Sequence, residues 1–171
     1  MRNVRQLSEK KSTNSKPISI VFICSGNVIR SAYAELLFEK MVAETTCLRG
    51  RILVHSGAVQ YHNTRIYPEI VPFLIEEGVA ETRIKNFKSR HVDDYPELLS
   101  DSDLILVMTK SHIIRIPDLY KDKSFLVYQY GTGEDLEIPD PYFEPPMDRA
   151  IRMLNEALNG LLDRLKRELC V

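Results

Sequence analysis

The sequence predicts an α/β fold of three layers, in which a four-stranded parallel sheet lies between helices on both faces. Four short apolar segments alternate with segments of helical periodicity, an order typical of βαβ units. The first of them, residues 18–23, runs directly into a Cys-Ser-Gly-Asn loop that is followed by a helical segment. Because ligands of such sheets bind at the carboxyl ends of the strands, we expect the functional site in this loop.

Each predicted element has its own sequence signal. The strands are short, apolar and bounded by turn residues, and they are predicted at 18–23, 51–55, 103–108 and 125–128. Helices are predicted from residue 31 to about 46, over 67–77, from Thr109 onwards for a short segment, and over about 147–169. The last segment repeats Leu and Ile at steps of three and four residues, a pattern that indicates a face buried in the core rather than a cofactor site.

The composition favours a single globular domain over residues 18–171. The chain has 171 residues, of which 44% are hydrophobic, and a net charge of -1, so we expect neither a nucleic-acid partner nor a membrane span. Residues 1–17 carry five basic side chains and one acidic one. They predict a disordered basic tail rather than a secretory signal.

The cysteine count indicates the compartment. Three cysteines without metal-type spacing predict neither a disulfide framework nor a zinc site. We therefore expect no metal and no cofactor. A reducing cytoplasm would suit a working thiolate, so the expected location is cytoplasmic.

The loop after the first strand, residues 24–31, has the chemistry of a phosphate site. Loop amides and the N-terminus of the next helix converge on one point and favour an anion there, while the Arg30 fork can grip two phosphate oxygens. Cys24 lies at the bottom of this cradle, where the same field favours thiolate over thiol, and it is the candidate nucleophile. A phosphate or sulfate ion should bind the loop, and the expected contacts are Ser25, Gly26, Asn27, Val28, Ile29 and Ser31.

The loop sequence Cys-Ser-Gly-Asn-Val-Ile-Arg-Ser, from Cys24 to Ser31, resembles the low-molecular-weight protein tyrosine phosphatases. The resemblance spans about residues 18–165 and includes a Ser-Gly-Ala-Val segment after the second strand. It implies that Asn27 and Ser31 brace the loop and share hydrogen bonds with the thiolate. It also implies hydrolysis of phosphotyrosine in proteins, or of small aryl phosphates, through a cysteinyl-phosphate intermediate and without metal.

A second motif supplies the proton that a leaving phenolate needs. Two prolines stiffen the chain around Asp140, and the segment Asp140-Pro-Tyr142-Phe143 resembles the Asp-Pro-Tyr-Tyr acid loop of the family. The resemblance implies that Asp140 acts first as acid and then as base. Tyr142 and Phe143, together with Val28, would line a slot for an aromatic ring.

Three alternatives remain open. An arsenate reductase of the same fold would need resolving thiols, and residues 50–168 contain none. A phosphoarginine phosphatase is a closer alternative, although the position of Val28 resembles Thr in that subgroup. A non-catalytic phosphate-binding module would need neither Cys24 nor Asp140.

The sequence departs from the family pattern at several positions. Phe87 stands where relatives often have His, so a polar support is lost, and Ile29 stands where many have a second Cys that could trap oxidised Cys24 as a disulfide. Tyr61 and His62 align with a wall of the substrate pocket, and the sequence does not decide whether they contact substrate or solvent.

Overall fold

A computed structural model describes residues 16–170 and confirms the predicted three-layer fold. The sheet has four parallel strands in the order β2-β1-β3-β4. Their bounds are β1 Ile18–Cys24, β2 Ile52–Ala58, β3 Leu104–Val107 and β4 Ser124–Leu126. Of the predicted basic tail, residues 1–15 lie outside the described residues.

The central strand β1 is buried over its whole length. Successive side chains point to opposite faces of a strand, so Phe22 packs edge-on against Phe38 with ring centroids 5.7 Å apart, while Val21 and Ile23 belong to a second core on the other face. A strand with an apolar core on each side is held firmly in register. The loop after it therefore starts from a fixed point.

Helices cover both faces of the sheet. Their bounds are α1 Arg30–Glu44, α2 Val71–Glu76, α3 Glu81–Lys85, α4 Glu97–Ser100, α5 Lys110–Arg115, α6 Val127–Thr132 and α7 Met147–Leu169, with 3-10 turns at Pro68–Ile70 and Asp118–Lys123. Helix α7 has the predicted bounds and buries its Leu and Ile stripe. The predicted fourth strand is shorter than expected, because the chain turns into α6 at Val127.

The prediction that the cysteines form no disulfide is wrong. Cys47, after α1, is bonded to Cys170, at the end of α7, across 123 residues. Helices α1 and α7 share one face of the sheet, and Arg51 Nη1 donates to the carbonyl of Leu169 over 2.7 Å at the same place. Sequence spacing could not reveal this pairing, since only the packed fold brings the two helix ends together.

Within residues 16–170, no helix combines the length and apolar character that crossing a bilayer would demand.

Candidate active site

The loop between β1 and α1 forms a tight cradle. Strand β1 ends at Cys24 and α1 begins at Arg30, so only the five residues 25–29 connect the strand to the helix. Asn27 takes a left-handed conformation with φ of 55°, which Asn adopts more readily than most residues. Its backbone N–H then points at the Cys24 sulfur, 3.3 Å away.

Two buried side chains hold the loop from behind. The Ser31 hydroxyl lies 3.0 Å from the Cys24 sulfur, and Asn27 Nδ2 donates to Ser31 Oγ and to Ser56 Oγ, each over 2.8 Å. Asn27 Oδ1 accepts the backbone N–H of Arg90. Both Asn27 and Ser31 are fully buried, which fits bracing residues better than direct phosphate contacts.

Arg30 is the first residue of α1 and is almost entirely buried. Its Nη1 donates to the carbonyl of Ile138 over 3.1 Å, and its Nη2 donates to Asp140 Oδ2 over 2.8 Å. The side chain of Asp140 is 25% exposed, and its other oxygen accepts the backbone N–H of Tyr142. The structure therefore brings together the three residues that the sequence predicts for catalysis, although Asp140 lies 110 positions after Arg30 along the chain.

Ser25 has a partner that the sequence analysis missed. Its hydroxyl lies 2.9 Å from His112 Nε2 on α5, while His112 Nδ1 accepts the backbone N–H of Thr109. Nδ1 must therefore be unprotonated, and Nε2 carries the proton that is donated to Ser25. Burial, together with the charges of Arg30 and Arg115, lowers the pKa of His112 to about 3. The ring is thus neutral at ordinary pH and adds no positive charge to the site.

A cavity of about 600 Å³ opens above Cys24. Its floor and rim include the predicted contacts Ser25, Gly26, Val28 and Ile29, together with Arg30 and Asp140. Tyr142 and Phe143 stand on the rim, 65% and 70% exposed, and Tyr142 meets Tyr67 edge-on at a centroid distance of 6.3 Å. The opening thus has aromatic walls and a polar floor.

The cavity wall also carries Tyr61 and His62, the two residues whose role the sequence left open. Both line the cavity, and His62 also stacks on His91 with centroids 3.9 Å apart and contacts Asp94 at 3.2 Å. His62 is therefore part of the pocket wall. Over the part of the chain that the structure describes, no three His, Cys, Asp or Glu side chains are grouped so as to hold a metal ion.

A strand, an anion-binding loop with a buried cysteine and arginine, and an acid on a facing loop define a cysteine-based phosphatase. The family model of the low molecular weight phosphotyrosine protein phosphatases matches residues 19–170. The chain belongs to that family.

Relatives in the family are similar over most of their length. A protein-arginine-phosphatase of Bacillus subtilis is 30% identical over 160 residues, which cover 88% of this chain and 99% of the relative. The low molecular weight protein-tyrosine-phosphatase PtpB of Staphylococcus haemolyticus is 30% identical over 127 residues, covering 72% and 80%. The crystal structure of a YwlE mutant from Bacillus subtilis superposes with a TM-score of 0.71 at 32% identity, covering 87% of this chain and 99% of that one.

Proposed function

We propose that this phosphatase removes phosphate from phosphotyrosine in proteins, with Cys24 as nucleophile, Arg30 as phosphate clamp and Asp140 as acid and base. The observation that carries the proposal is the position of Cys24. Its sulfur lies at the floor of a cavity whose rim holds Arg30, Asp140 and aromatic side chains.

In the first step the Cys24 sulfur attacks phosphorus and the bond from phosphorus to the tyrosyl oxygen breaks. The Ser31 hydroxyl and the backbone N–H of Asn27 lie within 3.3 Å of the sulfur and stabilise its negative charge. Asp140, protonated, gives its proton to the leaving oxygen.

Arg30 has to change partners in this step. Without substrate its Nη2 is held by Asp140 at 2.8 Å, and an incoming phosphate offers the guanidinium a bidentate partner instead. Once Arg30 turns to the phosphate, the Asp140 carboxyl is released from this ion pair. Substrate binding thereby frees Asp140 to face the leaving oxygen.

In the second step a water molecule attacks phosphorus and gives a proton to Asp140, the phosphorus–sulfur bond breaks, and the Cys24 thiolate is regenerated. Arg30 and the loop amides bear the charge on the equatorial oxygens in both steps. Ser25 and Gly26 contribute to this cradle.

The shape of the cavity favours an aryl phosphate. Cys24 is only 3% exposed, so a phosphoryl group must reach it on a long side chain. Val28 is apolar, and Tyr142 and Phe143 provide faces on which a ring can pack. Phosphotyrosine meets these requirements, and phosphoserine is too short.

Phosphoarginine is the second candidate substrate, supported by the 30% identity to a relative named protein-arginine-phosphatase. An arsenate reductase reaction has less support, because Cys47 and Cys170 bond to each other and lie outside the cavity lining. The two phosphatase assignments differ only in the substrate side chain, phosphotyrosine or phosphoarginine, that enters the slot above Val28.

Steady-state rates separate these substrates. We expect kcat/KM on phosphotyrosine peptides to exceed that on matched phosphoserine peptides by at least about a hundredfold, which corresponds to about 2.7 kcal/mol. A higher kcat/KM on phosphoarginine would move the assignment to that substrate. Comparable rates on phosphoserine would contradict the aromatic slot, and arsenate-dependent thiol oxidation would indicate the reductase.

We also propose that the protein works in the cytoplasm. A thiolate nucleophile works best in a reducing compartment, where Cys47 and Cys170 would be thiols. Trapping the thiols in intact cells and measuring the oxidised fraction of this pair tests the location. A fully oxidised pair would contradict it.

A further inference from the structure

We propose that Arg83, on the surface helix α3, is a positioning residue for the nucleophile. It acts on the Cys24 sulfur through a chain of hydrogen-bonded side chains. The proposal rests on the function proposed above, because it concerns the state of Cys24 as a thiolate.

The first hydrogen bonds of this series connect α3 to the loop that carries Cys24. Arg83 Nη2 donates to Glu35 Oε1 over 2.7 Å. The other oxygen of Glu35 accepts a very short hydrogen bond from the Ser56 hydroxyl, and Ser56 Oγ in turn accepts from Asn27 Nδ2 over 2.8 Å. Hydrogen bonds thus link four side chains one after another, from α3 through α1 and β2 to the loop after β1.

The chemistry of these groups fixes the direction of every bond. An ionised carboxylate can only accept, so the Ser56 proton must point to Glu35. Ser56 is then free only to accept, which requires the amide nitrogen of Asn27 to face it.

The same logic carries on to the sulfur. Asn27 uses its two side-chain amide protons on Ser56 and Ser31, so the Ser31 oxygen accepts. The Ser31 proton then has Cys24 Sγ at 3.0 Å as its nearer acceptor and the Gly57 carbonyl at 3.5 Å as its more distant one. A hydroxyl that donates to sulfur stabilises the thiolate relative to the thiol. The proton order along these side chains therefore depends on Glu35 accepting the hydrogen bond from Ser56.

Arg83 is the nearer of the two arginines that pair with the Glu35 carboxylate. The Glu35 side chain is only 5% exposed, and a buried carboxylate needs a close charged partner. Arg83 meets Glu35 at 2.7 Å, whereas Arg90 Nη2 is 3.4 Å from it. Burial lowers the pKa of Arg83, but its bonds to Glu39 and Glu35 outweigh burial and raise that pKa overall.

Apart from Arg83 and from Arg90, whose Nη2 donates to the Glu35 oxygen that also accepts from Ser56, the described groups around Glu35 offer it no charged partner. Burial, with the charge of Arg90, lowers the pKa of His55, so the ring stays neutral. Phe87 is buried and apolar and offers no hydrogen bond. Where the sequence indicates a lost polar support at Phe87, the structure provides Arg83 instead.

The test compares Arg83→Met with two matched variants. Glu39→Gln removes the other ion pair of the Arg83 guanidinium, at 2.7 Å, but leaves Glu35 bound, and Arg83→Lys keeps the charge. The readout is the rate at which iodoacetamide alkylates Cys24 as a function of pH. Alkylation needs a thiolate but no turnover. It therefore measures the effect of the hydrogen-bonded side chains on Cys24 even if the proposed substrate is wrong.

For Arg83→Met we expect the midpoint of alkylation to move up by about 0.5 to 1 pH unit, a threefold to tenfold lower thiolate-to-thiol ratio at a given pH. The acid limb of kcat/KM should move by the same amount. Glu39→Gln and Arg83→Lys should keep the wild-type midpoint, although Glu39→Gln can lower the melting temperature. Arg30, Asp140 and His112, the charged and titratable groups at the sulfur end, are unchanged in all these variants.

An unchanged midpoint in Arg83→Met would overturn the proposal, even with a lower melting temperature, since Arg83 would then only hold α3 in place. An equal shift in Glu39→Gln would overturn it too. If Arg83→Met does not fold, Arg83→Gln is measured in the same way, with the same expected shift and the same contradicting result.

Discussion

Replacing Asp140 by Asn removes the proton donor while keeping the shape of the side chain. Asp140 is fixed by Arg30 on one oxygen and by the backbone N–H of Tyr142 on the other, so its carboxyl is positioned before substrate arrives. A positioned general acid contributes about 10² to 10⁴ in rate, or about 2.7 to 5.4 kcal/mol of barrier. We expect kcat on phosphotyrosine to fall by that factor.

The assay is a series of aryl phosphates whose phenols differ in acidity. A strongly acidic phenol leaves without a proton, so the loss in Asp140→Asn should shrink steadily along the series. Glu144→Gln, which neutralises an exposed carboxylate of the same loop, is the matched control and should keep the wild-type kcat. An equal loss for every leaving group would refute the acid role of Asp140.

The same variant has a second consequence, for Arg30. In the free enzyme the guanidinium is tied to Asp140, and a partly exposed ion pair of this kind is worth up to about 1 kcal/mol. Without that competition, inorganic phosphate should inhibit Asp140→Asn up to about fivefold more tightly than wild type. Weaker inhibition would mean that Asp140 helps to bind phosphate rather than competing for Arg30.

Three further predictions concern His112, the disulfide and the oxidation of Cys24. His112, whose pKa is lowered from 6.5 to about 3 in the folded protein, takes up a proton below pH 6.5 in the unfolded chain only, so the free energy of unfolding falls as the pH drops from 6.5 towards 3. Between pH 7.5 and pH 4.5, the free energy of unfolding in urea should therefore fall by about 2 to 3 kcal/mol less for His112→Asn than for wild type. An equal fall in both proteins would contradict this. Replacing Cys47 and Cys170 by Ser should lower the free energy of unfolding by about 2 to 4 kcal/mol and the melting temperature by about 5 to 15 °C without changing kcat, and calorimetry showing no shift would mean that the disulfide adds no stability. Peroxide should inactivate the enzyme, and dithiothreitol should restore activity only early in the time course. The reason is that Cys24 is the free cysteine among the described residues, so its sulfenic acid has no resolving thiol. Mass spectrometry that finds an intramolecular Cys24 disulfide, together with full recovery on reduction, would disprove this.

The sequence predicted the parts of the fold that repeat. Helix α7 keeps a hydrophobic period over 23 residues, and β1 is a run of seven buried residues. Both patterns are long enough to be recognised from the sequence. Helices α3 and α4 have only five and four residues, too short for a period to show. Their helical form depends on tertiary packing.

The sequence also predicted the site wherever a motif carried it. Cys24 and Arg30 lie within one loop, and Asp140 lies between two prolines. Arg83 and His112 have no such motif. They reach the site only because the chain returns to it from α3 and α5, and a hydrogen bond between residues 87 positions apart leaves no local signal.

The disulfide shows a third limit. Cys47 and Cys170 bond to each other, and Cys24 stays free. The sequence did not show that these two cysteines meet, because their approach depends on how α1 and α7 pack side by side.

The central claim, that Cys24 accepts the phosphoryl group, is tested most directly by quenching the enzyme in acid during turnover of a phosphotyrosine peptide and mapping the modified residue by mass spectrometry. We expect one phosphoryl group on Cys24, formed in a burst, and none on the Cys24→Ser variant, which should still bind inorganic phosphate. A phosphoryl group on another residue, or turnover by Cys24→Ser above about a thousandth of wild type, an increase of the barrier by less than about 4 kcal/mol, would contradict the account.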